Sequence, residues 1–114
     1  VYLASAAPPV RYPNVYGIDM PTKEELVAHG RTVEEIRDIV GADALIYQDV
    51  EGMKRAVGQL NPAVGGFDAS CFDGVYCTGD ITDGDIARLN DRRVKSEEDD
   101  EDTSRLALPN AAAA

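Results

Sequence analysis

The sequence predicts an α/β fold of short helices and short strands that ends in a C-terminal helix and an acidic tail. Three observations carry this. Helix-start patterns, a threonine followed three residues later by an acid, recur at Thr22/Glu25, Thr32/Glu35 and Thr82/Asp85. Apolar runs of strand length stand at VYLAS (1–5) and ALIY (44–47). Between the first strand and the first helix lies a stiff run, SAAPPVRYPNVYGIDMP, from Ser5 to Pro21.

In chain order, Val1, Tyr2 and Leu3 suit a pleated surface, and the prolines after Ser5 stop the strand. The run that follows holds four of the six prolines, Pro8, Pro9, Pro13 and Pro21. Each fixes φ near about −65°, removes a donor and steers the preceding residue away from helix, so the backbone is extended and presents its side chains at fixed angles. Two readings stand: a rigid connection that packs Tyr12, Val15, Tyr16 and Ile18 into a core, or a ligand-facing wall. Thr22 and Glu25 predict a helix over 23–29, ended by Gly30. Thr32 and Glu35 predict a second, with Val33, Ile36, Ile39 and Val40 at helical spacing and Gly41 past its end.

ALIY reads as a strand, and Asp49 caps a third helix over 50–60, with Val50, Met53, Val57 and Leu60 on one face and Gly52 and Gly58 weakening it. Asn61-Pro62 and Gly65-Gly66 mark a loop. Phe67 to Thr78 reads as a hairpin turning at Asp73-Gly74. Thr82 with Asp85 opens a last helix that runs to about Arg93. SEEDDEDT (96–103) is a like-charge block that cannot bury apolar surface, so residues 95–114 are expected to be disordered, leaving 1–94 as the folded part.

The 114 residues carry a net charge of −10, with fifteen acids against nine bases over 1–94 and six against two over 95–114. Both parts are acidic, which argues against non-specific binding to nucleic acid or an anionic membrane. No apolar run approaches the roughly 18–20 residues of a membrane span, and the cytoplasm is the default compartment. Val1 reads as a cut into a longer protein. Cys71 and Cys77 are expected to be reduced.

Candidates for chemistry are few. The sequence has no Gly-rich phosphate loop, no His/Cys cluster at metal spacing and no nucleophile with an identifiable histidine partner. The single histidine, His29, closes the predicted first helix, where capping and proton transfer are both open to it. Asp19 follows Gly17, which permits close backbone approach, and a carboxylate on a stiff loop can accept from base or ribose donors; it can equally cap a turn. Tyr76 can be a core tyrosine or a ligand contact. Leu26 sits on the apolar face of the first predicted helix, where core packing is the ordinary job.

The run Ser5–Pro21, the segment ELVAHGRTVEEIRDIVGADALIYQD (Glu25–Asp49) and CFDGVYCTGDI (Cys71–Ile81) together resemble the amidophosphoribosyltransferases over roughly residues 1–90. The resemblance implies the C-terminal portion of a type I phosphoribosyltransferase fold, with a helical extension. In that family an N-terminal domain releases ammonia from glutamine, and the ammonia displaces pyrophosphate from phosphoribosyl pyrophosphate to give phosphoribosylamine, the first step of purine synthesis. The catalytic parts, with the Mg²⁺ that sits on the pyrophosphate, are implied to lie outside this chain, so the chain alone is expected to have no turnover.

By the same resemblance Asp19, Pro21 and Tyr76 belong to sites where purine nucleotides bind and inhibit, and Leu26 to the wall of an ammonia passage; the intact enzyme is implied to be a homo-oligomer. Some members hold an iron–sulfur cluster through cysteines, but here Asn14 and Asp68 occupy two of those places and only Cys71 remains, so no cluster is expected. The other reading is a non-catalytic nucleotide-binding or interaction module derived from the same fold.

Overall fold

The structure, a computed structural model, describes residues 1–106 as two compact units, Val1–Ile81 and a second that begins at Thr82. In the first, β1 (Tyr2–Ser5) and β2 (Ala44–Tyr47) pair in parallel, with Tyr2 opposite Ala44 and Ser5 opposite Tyr47. Parallel neighbours need a long crossover. Residues 6–43 supply it, and within them α1 (Val33–Val40) packs on β2. Helix α1 forms as its ends dictate. The Thr32 hydroxyl accepts from the Glu35 N–H (3.2 Å) and the Glu35 carboxylate accepts from the Thr32 N–H (2.7 Å), while Gly41 at φ 70° lets its N–H reach back to the carbonyls of Arg37 and Asp38.

Helix α2 (Val50–Leu60) starts where Asp49 accepts the Gly52 N–H at 2.6 Å. Its predicted apolar face is only partly covered: Val50 and Met53 are half-buried, whereas Val57 and Leu60 are exposed. The apolar core is small, made of Leu26, Ala28, Ile36 and Ala69, with Asn14, Thr22 and Ser70 buried beside it. One face of the sheet stays open, since Tyr2 and Ile46, on the same side by the pairing register, are 82% and 62% exposed. Parallel strands are normally covered on both faces.

Three elements differ from the expectation. Residues 23–29 form successive turns, not a helix, with the N–H groups of Glu25, Leu26 and His29 each bonded three residues back, although Gly30 does take the left-handed conformation at φ 65°. The Thr22 hydroxyl donates to the Glu25 carboxylate (2.7 Å) instead of capping a backbone N–H. The carbonyl of Ala28 is claimed from outside the segment by the Arg11 guanidinium (2.7 Å), which also takes that of Arg31 (2.6 Å). There is no hairpin over 67–78. Ser70–Asp73 is a single helical turn, α3, and Gly74 (φ 72°) is its left-handed end cap, with its N–H on Ser70 O at 2.8 Å. An Asp-Gly pair serves a helix end as readily as a hairpin turn, because both ask for positive φ at the glycine.

In the second unit, α4 starts at Asp83 as expected, with Thr82 and Asp85 in a reciprocal cap, but continues to Leu106 through the acidic block. Like-charge repulsion prevents burial, not a helical backbone, and once nucleated a helix gains a hydrogen bond with each residue added. The rest of the stretch expected to be disordered lies outside the described residues. The division between the compact units falls after Ile81, and the last helix and the acidic block form one continuous element. Among the described residues no helix is long and apolar enough to cross a membrane.

Candidate functional site

The stiff run is held from below by residues 68–78. The N–H groups of Arg11 and Tyr12 both reach Cys71 O, at 2.9 and 3.1 Å. The Tyr76 hydroxyl donates to Pro13 O at 2.8 Å, and its ring meets that of Tyr16 edge-on, with centroids 6.2 Å apart and planes at 65°. The Tyr16 hydroxyl pairs with Thr78 Oγ1 (3.0 Å) and accepts the Thr78 N–H (3.2 Å). Pro8 and Pro13 are buried, whereas Tyr12, Tyr16, Ile18, Asp19 and Pro21 are exposed. Tyr12, Tyr16 and Ile18 are therefore not buried in a core of this chain.

Asn14 lies at the centre of the attachment and is buried. Its Oδ1 accepts the N–H of Tyr16 (2.8 Å) and of Ile18 (3.2 Å), and its Nδ2 donates to Asp68 Oδ2 (3.2 Å). The other Asp68 oxygen accepts the Ser70 N–H (3.0 Å). Asn14 and Asp68 are thus mutual partners. Sequence reasoning gave neither a structural job. The available signal was Asn after Pro at the entry to a turn, since an asparagine side chain can stand in for backbone and bond two residues onward.

Tyr76 is brought against the run at Pro13 and Tyr16, and Asp19 and Pro21 follow on the same run. Burial is the main reason the Tyr76 phenol is pushed up from its usual pKa of 10.0, with the neighbouring Tyr16 and Asp68 adding to it, so the hydroxyl stays a donor. Leu26 is buried among the turns over 23–29. His29 caps no helix: Nδ1 stands 3.1 Å from Arg11 O, and because a carbonyl only accepts, Nδ1 carries the proton. Both cysteines are free, and burial of Cys71, with the charges of Asp68 and Asp73 nearby, raises its thiol pKa and keeps it protonated. Among the described residues no three His, Cys, Asp or Glu side chains are grouped to hold a metal ion.

A separate hollow of about 340 Å³ is lined by Lys54, Gly58, Val64, Gly65, Gly66 and Phe67. The Lys54 ammonium is bonded to Asp73 Oδ2 at 2.9 Å. Burial alone would push the Asp73 carboxyl up, but the Val75 N–H and the Lys54 ammonium outweigh it and hold the pKa below the usual 3.8. The same contact raises Lys54 above 10.5. A lowered carboxyl pKa contributes stability that is present above 3.8 and lost as pH falls through the folded value. Lys54→Met should therefore move the Asp73 pKa upward and shrink the stability that falling pH removes, as a carboxyl NMR titration with parallel denaturation would register.

No protein-family model matches the chain. Curated relatives do. The chain is 47% identical over 112 residues, 96% of its length, to the amidophosphoribosyltransferase of Pasteurella multocida; 56% identical over 82 residues, 72% of its length, to that of Haemophilus influenzae; and 55% identical over 93 residues, 82% of its length, to that of Escherichia coli. It spans about a fifth of the length of these relatives, at 22%, 16% and 18% respectively, and so matches a portion of that enzyme.

Proposed function

We propose that this chain is a segment of an amidophosphoribosyltransferase, from the C-terminal part of its type I phosphoribosyltransferase domain, and that Ser5–Pro21 with Tyr76 forms one wall of a purine-nucleotide site in the intact enzyme. The observation that carries the proposal is identity of 47–56% over 72–96% of the chain to relatives of that one name. The open sheet face supports it too, since apolar strands exposed at Tyr2 and Ile46 suit a piece whose covering layer belongs to the rest of the enzyme.

The intact cytoplasmic enzyme would release ammonia from glutamine and use it to displace pyrophosphate from phosphoribosyl pyrophosphate, giving phosphoribosylamine. The residues of this chain have supporting parts in that reaction. Asp19, exposed two residues before Pro21, would accept from the donors of a purine base or ribose, with Pro21 limiting the freedom of the loop beyond it. The Tyr76 hydroxyl is committed to Pro13, which leaves its ring as the surface a ligand would meet. Leu26 would line a dry passage suited to neutral ammonia. Mg²⁺ on the pyrophosphate would take its ligands from parts of the intact enzyme outside this chain. Asn14, Asp68 and the lone Cys71 do not fit an iron–sulfur cluster. The 114-residue chain would have no turnover by itself.

The test is calorimetric titration of the intact enzyme with GMP or AMP. The expected result is nucleotide binding that is about tenfold weaker in Asp19→Asn, a loss of about 1.4 kcal/mol. No binding by the wild type, or an unchanged affinity in the variant, would overturn the assignment.

A further inference from the structure

We propose that Asn14, through Asp68, is the positioning residue that sets the backbone from Tyr16 to Ile18 and thereby the approach to Asp19; as far as it concerns a ligand, this rests on the nucleotide reading above. The stiff run has prolines at 13 and 21 but none between, and Gly17 in that interval stands at φ 101°. Prolines therefore do not fix the part of the run that leads to Asp19. The Tyr16 side chain is held by Tyr76 and Thr78, and a buried amide holds the backbone on both sides of Gly17. Its oxygen gathers the N–H groups of Tyr16 and Ile18 from either side of Gly17, and its nitrogen anchors the assembly to Asp68, which is itself tied to the start of α3 by the Ser70 N–H.

The site demands a side chain that accepts twice on one side and donates on the other, which an amide does and a carboxylate does not. The chemistry is also reversible in direction. A carboxylate at position 14 could still accept both backbone N–H groups, but it would face the Asp68 carboxylate. An amide at position 68 would then restore the missing donor, while its oxygen kept the Ser70 N–H.

The experiment is amide hydrogen exchange by NMR on the 114-residue chain, at neutral pH, for the wild type, Asn14→Asp, Asp68→Asn and the double variant. Asn14→Asp should speed exchange at Tyr16 and Ile18 by about tenfold to a hundredfold, the scale of a lost buried partner, while Ile36 in α1 keeps its protection. The double variant should recover most of the loss, a rescue that side-chain volume alone would not produce. Unchanged exchange at Tyr16 and Ile18, no recovery in the double variant, or equal loss at Ile36 would each overturn the proposal, the last by making Asn14 a general stability residue. GMP titration of the intact enzyme carrying the same substitutions separates the two claims. If the intact wild type binds no nucleotide while exchange behaves as expected, the nucleotide wall falls and the clamp stands. If the wild type binds and Asn14→Asp binds equally well, the clamp does not position the wall.

Discussion

Ile36→Ala is expected to cost about 2–5 kcal/mol, which for a domain of ordinary stability, about 5–15 kcal/mol, is a large share. Ile36 is 1% exposed and, with Ser70, one of the two largest fully buried side chains. It stands mid-helix in α1, the element that packs on β2, so its loss would open a cavity where helix and sheet meet. The rest of the apolar core is Leu26, Ala28 and Ala69, too little to collapse into the gap. Ile36→Val, one methylene smaller, should cost about 0.5–1.5 kcal/mol. Urea denaturation followed by helical circular dichroism reads both. A loss under about 1 kcal/mol for the alanine variant would mean that the packing of α1 on the sheet does not hold this unit together.

Gly74→Ala should destabilise by more than the backbone cost alone, and a second glycine provides the comparison. Gly41 and Gly74 both close helices in the left-handed region, at φ 70° and 72°. A Cβ at Gly41 would meet nothing within 4 Å, so Gly41→Ala should show only the cost of a side chain in that region, about 1–2 kcal/mol. A Cβ at Gly74 would come within 3.0–3.2 Å of three Tyr12 ring atoms. The ring cannot simply swing away with its backbone, because the Tyr12 N–H is held on Cys71 O. Gly74→Ala should therefore cost about 1 kcal/mol or more beyond the Gly41 variant, in the range of overpacking, and should shift the Tyr12 resonances. Equal losses at the two sites would show that Tyr12 does not press on α3.

The local elements were legible wherever a helix or strand is specified by its own residues. The capping box at Thr32/Glu35 with Gly41, the Asp49 cap and the ALIY run each carry start and stop signals within a few positions, and α1, α2 and β2 lie where those signals put them. The pattern at Thr22/Glu25 is the same in sequence and fails in the structure. What distinguishes it is Arg11, remote in the chain, whose guanidinium takes the carbonyls of Ala28 and Arg31. The hairpin expected over 67–78 fails for a related reason. Gly74 has the positive φ that the sequence foresaw, but Cys71 O and Asp68 are occupied by the proline-rich run, and that pairing is long-range.

The sequence by itself determined the family resemblance, the stiffness of the run at its prolines and the helices with caps of their own, because each rests on covalent geometry or on contacts within a turn. Only the tertiary structure decided that Asn14 and Asp68 are partners, that Tyr76 braces Pro13 and Tyr16, and that residues 23–29 stay as turns. Each of these depends on a polar group finding its match 17 or more residues away. The penalty for leaving such a group unpaired is set by burial, which no local pattern encodes.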